Sequence, residues 1–215
     1  MPSQPRPENH RTPAPETNDN DPAIHQIFFD RIRTFLAEKT GIDLIYDPDT
    51  KGGFFKDVLV SNGNITINRI YRITLGNALH EAGHLAIIPQ RFRHLPSGNI
   101  FCDEFRKETH DYLENHRFSH ENHHENPICR ALLQCDDPTA TAWSYAAAIA
   151  AGVPSTLPFE DPRSYKGTGI DIHAMLQTGG YLGISSLASM QMTHKKLLAK
   201  HLKRQPFPAM QRWTN

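Results

Sequence analysis

A short apolar segment, residues 75–88, limits the fold more than any other part of the sequence. It reads Leu-Gly-Asn-Ala-Leu-His-Glu-Ala-Gly-His-Leu-Ala-Ile-Ile, and its single charged residue is Glu81. This composition predicts a buried helix, with Thr74 as a candidate N-cap and a proline directly after the segment. Residues four apart lie on one face of a helix, so His80 and His84 are predicted to point the same way. Buried His and Glu side chains need partners, because an unpaired buried charge is costly.

The pattern H-E-x-x-H in this setting predicts a metal site. Two imidazole nitrogens one turn apart can bind a single ion, and a catalytic Zn²⁺ takes such ligands while leaving one position open for water. The ion lowers the pKa of that water from 15.7 to about 7. Glu81 is then predicted to accept a proton from the metal-bound water as a general base. The alternative is a core helix in which His80 and His84 have found other partners.

The same five-letter pattern occurs again at residues 120–124, but in a different environment. It lies in residues 115–127, which are almost entirely polar and rich in histidine. No apolar face is available there to bury a helix or to exclude water. We predict that residues 115–127 form a solvated loop insertion, whose histidines bind metal only adventitiously.

Charge and hydrophobicity argue against several classes of function. Lys and Arg together number 23, as do Asp and Glu, so the formal net charge is +0 and the basic excess typical of nucleic-acid binding is missing. No apolar run approaches the roughly 18 residues of a membrane span, and the N-terminus lacks the apolar core of a secretory signal. Three cysteines without a C-x-x-C pair favour a reducing compartment. We expect a cytoplasmic protein that acts on a peptide or protein, and the sequence leaves its oligomeric state open.

The remaining pattern predicts one α+β domain between two tails. Residues 1–20 are rich in Pro, Asn and Thr and are predicted to be disordered. The domain is predicted to occupy residues 21–203, and residues 204–215, which contain two prolines, are predicted to form a frayed tail.

Within the domain, alternating apolar residues predict short strands, with Asn62-Gly63 joining the last two in a hairpin. The strands are predicted over residues 42–46, 57–61 and 64–68, and further helices over 21–39, 101–118, 139–151, 170–177 and 185–202. We therefore expect a small antiparallel sheet packed beside the H-E-x-x-H helix, followed by a mostly helical C-terminal part.

A catalytic zinc normally takes a third protein ligand, which the sequence does not fix. The extension H-E-x-x-H-x-x-G-x-x-H is absent, because Ile87 and Gln90 stand where it requires Gly and His. A later acidic residue is needed instead. Glu104 is one candidate, but it lies in a charged patch that is typical of a solvated helix face. Asp137 is another, although an acidic residue before a proline is commonly an N-cap, and the neighbouring Asp136 is a third.

The run D-x-x-A-x-x-W-S-Y-A that begins at Asp137 is similar to the E-x-x-A-x-x-F-A run of the ImmA/IrrE-type zincins, a family of H-E-x-x-H metallopeptidases. In that family an acidic residue likewise opens an alanine-rich helix after the H-E-x-x-H helix. The resemblance implies a zincin-like fold with His80, His84 and Asp137 as zinc ligands. It also implies Glu81 as the base. The resemblance extends from the strands to Gly152 and departs in having Asp for Glu, Trp for Phe and a His-rich insertion.

Zincins often use a Tyr or His to stabilise the transition state, and four candidates cannot be ranked from the sequence: Tyr145, Tyr165, His173 and Tyr181. Cys129 and Cys135 have no partner at zinc-finger spacing and are predicted to be buried thiols. The sequence thus predicts a zinc-dependent hydrolase, specifically a metallopeptidase that uses Glu81. Two alternatives are a catalytically silent zincin-fold module that binds metal and a partner protein, and a helical interaction protein without metal.

Overall fold

A computed structural model describes residues 21–117, 126–159 and 171–215. The predicted N-terminal tail, residues 1–20, and most of the predicted His-rich loop lie outside these ranges. Within them the α+β class and the mostly helical C-terminal part are confirmed. No helix in the described ranges is long and apolar enough to cross a bilayer. The elements follow in the order α1 (Pro22–Thr40), β1 (Leu44–Tyr46), β2 (Val58–Ser61), β3 (Asn64–Ile67), α2 (Arg72–Ile87), α3 (Asp103–Arg117), α4 (Pro127–Leu133), α5 (Asp137–Ala150), α6 (Ile172–Thr178), α7 (Leu182–Ser189) and α8 (Lys196–Leu202).

The sheet has the strand order β1-β3-β2 and is mixed. β2 and β3 form the predicted antiparallel hairpin, and both turn residues, Asn62 and Gly63, have positive φ as such tight turns require. β1 pairs in parallel with β3, with Leu44 opposite Ile65. The prediction of a purely antiparallel sheet is therefore wrong, because the loop between β1 and β2 carries the chain to the far edge and leaves β3 in the middle.

Helix α2 carries the H-E-x-x-H pattern and is buried along most of its length, as predicted. It begins at Arg72, with Tyr71 at the N-cap position and no side-chain cap. The predicted cap, Thr74, is instead a buried residue within the first turn, because the helix starts three residues earlier than the apolar run suggests. The helix ends at Ile87, before the proline that was predicted to stop it.

Helices α2 and α5 approach each other closely at a glycine. A Cβ atom placed on Gly83 would lie 2.7 Å from the carbonyl oxygen of Ala140 and 3.1 Å from its Cα. Only glycine permits this approach without moving backbone. Since Ala140 lies one turn after Asp137, and Gly83 directly precedes His84, the contact brings the first turn of α5 beside the histidine face of α2.

The segment predicted as a loop insertion is partly helical. Residues 115–117 form the last turn of α3, and Pro127 is the first residue of α4. Asn126 caps α4, since its side-chain oxygen accepts hydrogen bonds from the backbone N–H groups of Ile128 and Cys129. The predicted boundaries 115 and 127 are therefore wrong, and residues 118–125 lie outside the described chain.

Two predictions about the C-terminal part are also wrong. The single helix predicted over 185–202 is two helices, α7 and α8, because the chain turns between them with Gln191 at positive φ and Thr193 buried. The predicted frayed tail, residues 204–215, packs on the body. The indole N–H of Trp143 donates to the carbonyl oxygen of Trp213 at 3.0 Å, and the backbone N–H of Asn215 donates to the carbonyl oxygen of Ala86 at 3.0 Å.

Candidate metal centre

His80 and His84 lie one turn apart on α2 and face the same side, as predicted. Their rings meet edge to face with centroids 4.9 Å apart. The side chain of His84 is almost fully buried, with 3% of its surface exposed, and that of His80 is 18% exposed. The pair is therefore reachable from solvent through His80, while His84 is fixed by its surroundings.

Asp137 brings a carboxylate to this pair from the first turn of α5. Its Oδ1 lies 3.1 Å from Nε2 of His84 and 3.7 Å from Nε2 of His80. The three side chains offer ligand atoms that all lie within 4.8 Å of one another. The nearby imidazoles of His80 and His84 hold the pKa of Asp137 well below its usual range, so this carboxylate is ionised near neutral pH.

The two alternative acidic candidates have other positions. Asp136 is the N-cap of α5, where its Oδ1 accepts hydrogen bonds from the backbone N–H and the hydroxyl of Thr139. The capping role that sequence alone allowed for Asp137 therefore belongs to Asp136. Glu104 lies exposed on α3 and does not belong to the group of possible metal ligands found among the described residues.

The hydrogen-bond partners of His84 indicate whether a cation can lie between His84 and Asp137. Its Nδ1 donates to the carbonyl oxygen of Cys135 at 3.2 Å, while its Nε2 faces Asp137 Oδ1 at 3.1 Å. A neutral imidazole has one N–H and cannot donate to both oxygens. Either a second proton or a metal ion between Nε2 and the carboxylate must complete the arrangement. A carbonyl acceptor behind a ligating histidine is a common way of fixing its tautomer and orientation.

The spacing also suits a tetrahedral ion. Zn²⁺ binds His nitrogen and carboxylate oxygen at about 2.0–2.2 Å, which places neighbouring ligand atoms about 3.4 Å apart. The two nitrogen–oxygen distances to Asp137, 3.1 and 3.7 Å, lie on either side of that value. The third separation, between ligand nitrogens of the two histidines, is within 4.8 Å. Two imidazoles and one carboxylate are a donor set typical of catalytic zinc.

Glu81 lies beside the histidines and is not one of the three grouped ligands. It is 6% exposed, and burial raises its pKa from the ordinary value of 4.5 to about 7, although His80 opposes the rise. A carboxyl group with this pKa can both accept and return a proton near neutral pH.

Glu81 and the three possible metal ligands line a cavity of about 280 Å³ between α2, the start of α5 and the segments around residues 54 and 100. The cavity combines aromatic side chains with a few polar ones. Its lining residues are Phe54, Phe55, His80, Glu81, His84, Asn99, Ile100, Phe101, Arg106 and Asp137. The ring of Phe101 packs edge to face on His84 with centroids 5.5 Å apart and so helps to orient it.

None of the predicted transition-state donors that the structure describes lines this cavity. Tyr145 is buried in an aromatic cluster with Phe159, His173 and Phe207. Nε2 of His173 lies 3.1 Å from the hydroxyl of Ser155, and Tyr181 is the N-cap residue of α7. These three candidates therefore do not line this site, and Tyr165 lies outside the described residues.

Two further polar residues line the cavity, Asn99 and Arg106, and neither was predicted from the sequence. Arg106 belongs to the charged patch on α3 that the sequence indicated as a solvated face, and no motif marks Asn99. The acceptor behind His84 is the backbone of Cys135, which leaves no side-chain signal. The thiols of Cys129 and Cys135 are buried and free, as predicted, and burial raises the pKa of the Cys135 thiol to about 12.

Because Glu81 is buried, we predict that the stability of the metal-free protein depends on pH. Because the folded protein keeps the Glu81 proton up to about pH 7 and the unfolded chain releases it near pH 4.5, stability falls as the pH rises through that window. The rise in pKa corresponds to roughly 3 kcal/mol. Glu81→Gln should therefore be more stable than wild type by up to that amount at pH 8, and nearly equal to it at pH 4.5. Urea unfolding of both proteins in chelator measures this, and a difference that does not change with pH would contradict it.

Comparisons of the chain with protein-family models, with curated proteins and with solved structures find no match.

Proposed function

We propose that this protein is a zinc-dependent hydrolase, a zincin-like metallopeptidase in which His80, His84 and Asp137 hold the ion. The observation that carries the proposal is the meeting of these three side chains, from two helices, within 4.8 Å. A buried carboxyl group, Glu81, adjoins them at the wall of a cavity. A structural role alone would not require a carboxylate, two imidazoles and a second carboxyl group with a raised pKa at one cavity.

Zinc bound there would act as a Lewis acid toward water and toward the carbonyl group of a peptide. The protein's own residues then have separate tasks. Glu81 accepts the proton of the attacking water and can return it to the leaving amine, since its pKa of about 7 suits both directions. The carbonyl oxygen of Cys135 and the ring of Phe101 fix the orientation of His84. The aromatic side chains that line the cavity would reduce the contact between the reacting carbonyl and bulk water.

The proposal is tested with zinc-loaded protein and a mixture of synthetic peptides whose termini are either free or blocked. We expect cleavage, detected by mass spectrometry, that is lost in chelator and restored by zinc. Bound zinc without cleavage of any peptide would contradict a peptidase and leave a metal-binding module for protein recognition. A protein that does not bind zinc would contradict both.

A further inference from the structure

The cavity at the metal-binding group is small. Its volume of about 280 Å³ lies just below the roughly 300–1,000 Å³ that is usual for ligand pockets. Phe54, Phe55 and Phe101 supply aromatic walls, and Ile100 adds to the apolar surface. A pocket of this size suits an end group of a substrate better than a long stretch of chain.

The edge strand β2 is not free to bind an extended peptide along its outer side. The outward carbonyl oxygens of β2 accept hydrogen bonds from this chain itself, that of Val58 from Gly53 N–H and that of Val60 from Gly98 N–H, both at 2.8 Å. The two covering segments are also joined, because Phe54 N–H donates to the carbonyl oxygen of Gly98 at 2.8 Å. Addition of a substrate strand at this edge would require breaking these bonds, so recognition through a long run of backbone pairing is disfavoured.

The cavity also holds a cation with no assigned partner. Among the described residues that line it, Arg106 is the single Lys or Arg. Its guanidinium group forms no ion pair or hydrogen bond with another described residue. The other charged residues of the lining are Glu81 and Asp137, which belong to the metal centre. A guanidinium group presents paired N–H donors that match the two oxygens of a carboxylate.

From these observations we infer that the substrate ends in a free carboxylate close to the bond that is cleaved, and that Arg106 binds this carboxylate. The protein would thus remove one residue, or a short piece, from the carboxyl end of a peptide chain. An apolar terminal side chain would lie against Phe54, which is exposed at the cavity rim and packs edge to face on Phe55. This inference rests on the proposed function and names its substrate class.

The inference is tested by ligand binding to the zinc-loaded protein, without any turnover. The probes are the monohydroxamates of succinate, glutarate and adipate, each paired with the same molecule in which a carboxamide replaces the carboxylate. The hydroxamate group would bind zinc at its open position. The three chain lengths place the carboxylate at different distances from the zinc, so that at least one can contact Arg106. By isothermal titration calorimetry we expect at least one carboxylate to bind about tenfold or more tightly than its carboxamide, as is typical of a charge-assisted hydrogen bond.

Three variants assign the effect to Arg106. Arg106→Ala should bring the ratio between carboxylate and carboxamide close to one. Arg106→Lys should keep part of it, because the charge remains while the paired donors are lost. The matched control is Lys107→Ala, since Lys107 is the next residue of α3 and contacts Glu108 and Asp111 rather than the cavity. That variant should keep the wild-type ratio.

The outcomes separate the two proposals. If the carboxylate and the carboxamide of each hydroxamate pair bind equally well at all three chain lengths, the inference is overturned. Binding of the hydroxamates would still support a zinc ion with an open position. A wild-type ratio that persists in Arg106→Ala overturns the role of Arg106. Failure of every hydroxamate to bind zinc-loaded protein overturns the proposed function as well. In the peptide mixture, cleavage close to free C-terminal carboxylates supports the inference. If peptides with an amidated C-terminus are cleaved equally well next to Asp or Glu, a side-chain carboxylate is recognised instead of the terminal one, and the inference is overturned.

Discussion

Replacing Glu81 by Gln is expected to lower turnover by about 10²–10⁴-fold while the protein keeps its zinc. The glutamine side chain would have nearly the shape of the Glu81 side chain but could not accept a proton from water. Glu81 is not among the three grouped ligand side chains, so the zinc content should stay near that of wild type. The measurement is the rate of peptide cleavage together with zinc per chain by elemental analysis.

The matched control for this prediction is Glu104→Gln. Glu104 is an exposed carboxylate on α3, and it does not line the cavity. Its replacement should leave both the rate and the zinc content unchanged. Turnover of Glu81→Gln at the wild-type rate would show that another group is the base. Loss of zinc from that variant would instead make Glu81 a ligand.

Removing the carboxylate of Asp137 is expected to cause the largest loss of zinc affinity among single acidic substitutions. In Asp137→Ala the ion would keep only two protein ligands, and the buried His84 would lose the oxygen that faces its Nε2. The loss should exceed the roughly 10–100-fold that follows removal of a residue behind a ligand. Competition with a chromophoric chelator measures the affinity.

The neighbouring residue provides a sharp control. Asp136→Ala removes the N-cap of α5 and should cost about 1 kcal/mol of stability, but it leaves the Asp137 carboxylate in place. Zinc affinity should therefore fall far less than in Asp137→Ala. A second control, His120→Ala with His124→Ala, removes the other H-E-x-x-H pattern and should leave tight binding intact. If Asp136→Ala or the histidine pair weakens zinc binding as much as Asp137→Ala does, Asp137 is not the specific third ligand.

The histidine face of α2 could be predicted from the sequence, because two imidazoles and a carboxyl group buried in an apolar helix need partners. The sequence did not decide among Asp136, Asp137 and Glu104, since chain spacing says nothing about which helix packs on which. That choice depends on the close approach at Gly83, which brings the start of α5 to His84. The adjacent Asp136 then takes the cap and leaves the Asp137 carboxylate for the histidines.

The errors have similar physical causes. The C-terminal residues resemble a tail in composition, yet Phe207 is buried and Trp213 packs on Phe35 with ring centroids 4.7 Å apart. Such contacts come from distant parts of the chain and leave no periodic signal. Likewise, Tyr145 has the chemistry of a transition-state donor but lies in an aromatic cluster rather than at the cavity. Residue type indicated what was possible, and packing determined which side chains meet.

A crystal structure of the zinc-loaded protein, with anomalous diffraction recorded at the zinc edge, tests the assignment of the metal centre most directly. We predict one strong anomalous peak at about 2.0–2.2 Å from Nε2 of His80, Nε2 of His84 and a carboxylate oxygen of Asp137. The Glu81 carboxyl group should lie close to the fourth position without binding the ion. A peak elsewhere in the chain, or imidazole rings of His80 and His84 that share no ion, would contradict the account.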